Sequence, residues 1–155
     1  MVPAPTTRHQ KILSNLNSVV RQHVQNHLLG VVFFAPVDVI LGQGDAREVV
    51  QPDLMFVAAS RREIVKLHGI EGPPNLVVEI LSPDTAERDR GYKLTMYARY
   101  GVLEYWIVDP NARTLDAYCA GATEYGAPIR YVESDVMPCA LLRDLKITLH
   151  EVFAD

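Results

Sequence analysis

The chain has 155 residues, 48% hydrophobic and 22% charged, with a formal net charge of −4 and a pI near 5.7. This length fits a single domain over residues 1–155, with a core that buries roughly two-thirds of the unfolded surface. No apolar run approaches the ~20 residues a membrane span needs, and the acidic balance argues against a global basic field for nonspecific nucleic-acid binding. The opening Met1-Val2-Pro3-Ala4-Pro5 lacks the charged and apolar regions of a signal peptide, so the chain reads as cytoplasmic. A local basic patch remains compatible with its 11 arginines and 4 lysines.

In chain order, Ile12, Leu13, Leu16, Val19, Val20, Val24 and Leu28 recur at helical spacing, predicting a helix from about Thr7 to Leu29 that Gly30 stops. The period then changes. Residues 31–41 are rich in β-branched and aromatic side chains, Gly42-Gln43-Gly44-Asp45 is a turn, and residues 49–57 return as a second strand of a hairpin. Residues 60–68 read as a short helix, and Gly72-Pro73-Pro74 resets the chain. The run Leu76-Val77-Val78-Glu79-Ile80-Leu81 reads as a strand covered on both faces.

Ser82-Pro83-Asp84-Thr85 reads as the entry of a helix that runs to about Tyr100, with Gly101 as its stop. A short apolar strand follows over residues 104–108, then edge strands at 115–119 and 129–133, then a last strand or turn over 145–153. Cys119 and Cys139 have neither metal nor redox spacing and are expected to be buried thiols. The order helix, hairpin, strand, helix, strand predicts an α/β fold with a central mixed sheet.

Chemistry concentrates on two carboxylates. Asp53 follows Pro52 in the second hairpin strand, and Glu79 stands alone in an apolar strand 26 residues later. An isolated carboxylate in such a strand is costly unless its charge is compensated, and two close together repel in a low dielectric. If the strands pair, Asp53 and Glu79 point at one place and can share a Mg²⁺ or Mn²⁺ ion. Lys93, on the helix after the Glu79 strand, supplies a mobile cation, and Asp89 stands four residues before it, at i,i+4 spacing. In the usual nuclease pattern the lysine lies two residues after the glutamate. Here that position is Leu81, and Lys93 is the substitute.

Each of these residues alone has a plainer reading. Pro-Asp is common in turns, Glu79 fits a solvent-facing strand edge or a buried ion pair, and a helical lysine is usually solvated. His23 and His27 share i,i+4 spacing, but without a third ligand they do not make a zinc site.

The segments Val49-Val50-Gln51-Pro52-Asp53-Leu54-Met55-Phe56-Val57 and Pro74-Asn75-Leu76-Val77-Val78-Glu79-Ile80-Leu81-Ser82-Pro83-Asp84-Thr85 resemble the Uma-two-like restriction endonucleases. So do Arg88-Asp89, Lys93, Tyr97, Tyr100-Gly101-Val102-Leu103-Glu104-Tyr105-Trp106-Ile107-Val108-Asp109-Pro110 and the early His9-Gln10. The resemblance implies a PD-(D/E)XK, restriction-endonuclease-like fold with Asp53 and Glu79 as metal ligands. It puts the lysine on the helix after the Glu strand, at Lys93, and makes DNA the substrate of a Mg²⁺- or Mn²⁺-dependent endonuclease.

The chain departs from that pattern in one respect. Family members usually carry an additional N-terminal helix and hairpin with an early acidic ligand in a Tyr-Glu-Leu-like context, and no candidate for it precedes Asp38. A cation held by two protein carboxylates binds loosely, so weak or absent cleavage is expected. The alternative is a catalytically inactive DNA-binding or oligomeric interaction module. A homodimer that covers sheet edges is expected in either case.

Overall fold

The computed structural model describes residues 4–155. Met1, Val2 and Pro3, on which part of the signal-peptide reading falls, lie outside the described residues. Helix α1 (Thr7–Asn26) starts where the Thr6 hydroxyl accepts the His9 backbone N–H at 3.1 Å, and it buries Ile12, Leu13, Leu16, Val20 and Val24 in one stripe. It ends three residues before the expected last residue, Leu29. Leu28 takes a left-handed φ of 52°, and Gly30 opens strand β1 (Gly30–Phe34) so close to the next strand that a Cβ there would lie 2.1 Å from the Val57 carbonyl oxygen.

The expected hairpin forms but is divided between two sheets. Strand β2 (Val39–Leu41) pairs with β3 (Glu48–Val50), while β1 pairs with β4 (Leu54–Ala58), all antiparallel. The single strand expected over 49–57 therefore breaks at Gln51-Pro52-Asp53, where Pro52 has no N–H to give a ladder. Residues 60–68 are not one helix either. A 3-10 turn over Ala59–Ile64 leads into a two-residue hairpin of β5 (Val65–Lys66) and β6 (Gly69–Glu71), because β6 pairs in parallel with β2 and buries Ile70.

Strand β7 (Leu76–Ile80) is buried at every position, as its continuous apolarity predicts. It is parallel to β8 (Glu104–Asp109), which pairs antiparallel with β9 (Thr114–Cys119), and β9 with β10 (Ile129–Val132). The central mixed sheet has the order β1-β4-β7-β8-β9-β10. Residues 115–119 are thus interior, not an edge as expected, because β10 covers them; β10 is the edge. Cys139 is buried as expected, but Cys119, the last residue of β9, is exposed beyond the core.

The helix expected over 82–100 is two, α2 (Ala86–Arg90) and α3 (Tyr92–Tyr100), separated at Gly91, whose ψ of −89° leaves the helical region. Gly101, at φ 91°, ends α3 as expected. The chain closes with β11 (Val136–Cys139), which the sequence reading missed, β12 (Leu145–Thr148) and α4 (Leu149–Val152).

Side chains alternate across the central sheet, so its inner strands feed two cores. Leu54, Leu76, Val78, Ile80 and Trp106 pack against α1, α4 and the β11–β12 ribbon. Met55, Val57, Val77, Tyr105 and Ile107 pack against α3 and the small β3-β2-β6-β5 sheet. Glu79 projects from β7 toward this second core.

Candidate functional site

The β4–β7 register pairs Leu54 with Val78, which sets Asp53 opposite Glu79 one residue further on. At that point β4 is just emerging from the Pro52 break and β7 is ending, so the two carboxylates meet at the end of the sheet. The Asp53 backbone N–H donates to Glu79 Oε1 at 3.3 Å, and the Ile80 N–H donates to Asp53 Oδ2 at 2.7 Å. Each acid is thereby tied to the other's strand. The expectation that they lie on adjacent strands at one location agrees with this geometry.

Lys93 joins them from the first turn of α3. Its Nζ donates to Glu79 Oε2 at 2.7 Å and lies 3.1 Å from Asp89 Oδ1, an ion pair without hydrogen-bond alignment. Tyr97, one turn further along α3, donates its hydroxyl to the same Glu79 oxygen at 3.0 Å. The helix therefore delivers two donors to one carboxylate oxygen, which the lysine-on-helix reading anticipated only for Lys93.

The electrostatics follow from burial. Glu79 is 3% exposed, and burial raises its pKa to about 7, with Asp53 and Asp89 adding to the rise and Lys93 opposing it. Burial also raises Asp89 against the pull of Lys93. Burial lowers the Lys93 ammonium, but Glu79 and Asp89 outweigh that and leave its pKa above the ordinary lysine value. Both partners of the pair are shifted upward, Glu79 chiefly by burial and Lys93 by its two neighbouring carboxylates, Glu79 and Asp89.

His9 was quoted only as part of the resemblance, yet α1 brings it into contact with the site. Its Nε2 lies 3.4 Å from Asp53 Oδ2, and its buried Nδ1 has no hydrogen-bond partner. The hydrogen bond to Asp53 raises its pKa, burial opposes this, and the Asp53 charge reinforces it. Local spacing carries no signal that joins residue 9 to residue 53. Tyr97 had one, its i,i+4 relation to Lys93, and that signal went unused.

Asp53 and Glu79 present hard oxygen donors from facing strands, and the local excess of carboxylate is what a divalent cation relieves. Asp53 and Glu79 are the residues that would hold a Mg²⁺ or Mn²⁺ ion. Among the described residues no group of three or more His, Cys, Asp or Glu is arranged to hold a metal, so water and substrate oxygens would complete the shell. The His23 and His27 rings lie tilted at 30° with centroids 4.2 Å apart, and His27 Nδ1 lies 3.0 Å from the His23 carbonyl oxygen.

A family model described as "Putative restriction endonuclease", Uma2, matches residues 1–150. A crystal structure of "a putative nuclease belonging to DUF820" from Anabaena variabilis superposes with a TM-score of 0.79 at 20% identity, covering 97% of this chain and 83% of that one. The likeness agrees with a restriction-endonuclease-like fold, with the mixed central sheet flanked by helices. No curated protein matches the chain. Among the described residues no helix is long and apolar enough to cross a membrane.

Proposed function

Because the chain belongs to the Uma2 "Putative restriction endonuclease" family, we propose that it is a metal-dependent endonuclease hydrolysing DNA phosphodiester bonds. The observation that carries this reading is the pair of opposed carboxylates, Asp53 and Glu79, with Lys93 Nζ 2.7 Å from Glu79. Asp53 and Glu79 would hold Mg²⁺ or Mn²⁺, which when bound polarises a phosphoryl oxygen and makes a bound water more acidic. The Ile80 N–H fixes one oxygen of Asp53, and Tyr97 and Lys93 fix one oxygen of Glu79, so the donors are oriented before substrate arrives. The Lys93 ammonium, shared between Glu79 and Asp89, is close enough to orient the attacking water or to offset charge developing on the phosphoryl oxygens.

The test is cleavage of supercoiled plasmid with Mg²⁺ or Mn²⁺. Activity lost in both Asp53→Ala and Glu79→Ala supports the reading, and activity that survives both overturns it.

One observation favours the second reading, a non-cleaving DNA-binding or oligomeric module. The third nearby acid, Asp89, is engaged by Lys93, and among the described residues no group of three or more His, Cys, Asp or Glu is arranged to hold a metal. A duplex bound without cleavage at any Mn²⁺ concentration would establish it. Sheet edges β1 and β10, with Ile129 and Val132 exposed on the latter, are the surfaces a homodimer would cover. Analytical ultracentrifugation tests that dimer.

A further inference from the structure

Glu79, Ile107, Asp116 and Arg130 form one row across four neighbouring strands, each register-paired with the next. Directly paired residues share a sheet face, so the row runs from the carboxylate site to the edge strand β10 on the side that carries α2 and α3. At about 4.8 Å per strand, the Arg130 backbone is roughly 14 Å from that of Glu79.

Asp116 is 2% exposed, a buried acid for which the mechanism above has no use. It accepts Arg130 Nε at 2.7 Å and Nη2 at 2.9 Å in a bidentate fork, and Arg90 Nη1 at 3.2 Å. The Arg130 hydrogen bond holds its carboxyl below the ordinary aspartate range against burial, and Arg90 reinforces this. The guanidiniums are not buried with it: the Arg130 side chain is 58% exposed and that of Arg90 36%. Arg90 also lies 3.6 Å from Asp109. Arg90 directly follows Asp89, whose carboxylate contacts Lys93, so one turn of α2 joins the arginine pair to the carboxylate site.

An exposed guanidinium and a half-buried one, both held by one buried acid, are more than a tie between β9 and β10 requires. Asp116 takes the Nε–Nη2 edge of Arg130 and Nη1 of Arg90, so the remaining guanidinium N–H groups are the ones that can meet phosphate oxygens, and because Asp116 already holds both side chains, less rotamer freedom remains to be lost on binding. A chain of net charge −4 also needs a local cationic contact to hold a polyanion.

We propose that Arg90 and Arg130 form a phosphate clamp that grips the nucleic-acid backbone a few nucleotides from the scissile phosphodiester, without reading base sequence. The clamp rests on the nuclease reading of the Asp53–Glu79 site.

The test uses the full chain carrying Asp53→Asn, so that substrate survives, and two labelled duplexes of unrelated sequence followed by anisotropy across a salt series. Arg130→Gln and Arg90→Gln should each weaken both duplexes several-fold and to the same extent. Each should also lower the slope of log affinity against log salt by about 1. Arg130→Lys should keep the slope, because it keeps the charge. Thermal unfolding of each variant separates this from a fold defect, since weaker binding with an unchanged slope and a lowered Tm means a purely structural pair and overturns the clamp. Unchanged affinity in both glutamine variants overturns the clamp while leaving the nuclease reading intact. If the parent binds neither duplex, the DNA reading itself fails and the clamp falls with it.

Discussion

Lys93 and Glu79, 14 positions apart in the chain, meet at 2.7 Å between Nζ and Oε2 with side chains 15% and 4% exposed. A pair so withdrawn from water is more than a surface ion pair, because each charge depends on the other for solvation. It also occupies one oxygen of Glu79 and thereby sets what remains for a cation.

Lys93→Met should abolish any cleavage and destabilise the fold by roughly 3 kcal/mol at pH 8, since Glu79 must then stay buried as an unpaired carboxylate or take up a proton against the pH. The loss should shrink at pH 5, where Glu79 can take up a proton instead. Urea unfolding at pH 5 and pH 8 measures both values. Equal losses at the two pH values would count against a charge origin.

Glu79 should titrate near 7 in a carbonyl-carbon NMR experiment, against its ordinary value of 4.5. The folded pKa is raised, so the folded state holds this proton more tightly than the unfolded one. Its contribution to stability is therefore fully present below about 4.5 and is lost as pH rises through about 7. Asp53→Asn removes a repelling charge and should lower the midpoint. Metal-dependent cleavage should rise with pH across the same window, as the ligand becomes ionised.

Mn²⁺ should raise the Tm of the parent protein in proportion to the logarithm of its concentration. Asp53→Ala and Glu79→Ala should each remove that increase. Calorimetric scans across a Mn²⁺ series provide the readout, independent of any cleavage assay. A shift that persists in both variants would put the cation elsewhere.

Tyr97→Phe deletes the hydroxyl that donates to Glu79 Oε2 at 3.0 Å and leaves the buried ring in place. The expected cost is about 1 kcal/mol of stability. The Glu79 midpoint should move further upward, because a donor to its charged form is gone. Chemical denaturation and the same NMR titration check the two effects separately.

Some features of this protein were written locally and could be read from residues alone. The stripe from Ile12 to Val24, the apolar run Leu76–Ile80 and the stop at Gly101 each depend on neighbours a few positions away. So did the signal at Glu79, since a charge inside an apolar strand is anomalous wherever the strand lies. The Asp89–Lys93 contact was also expected from i,i+4 spacing, although the two residues lie on either side of the Gly91 break and not on one helix. Long-range pairing decided the rest. Residues 65–71 became a hairpin only because β2 offered β6 a partner, and 115–119 became interior only because β10 closed over them. His9 reached Asp53 through the packing of α1 against the sheet, which no spacing along the chain encodes. Periodicity and local cost are properties of short segments, whereas which two distant groups share a site depends on how whole layers pack.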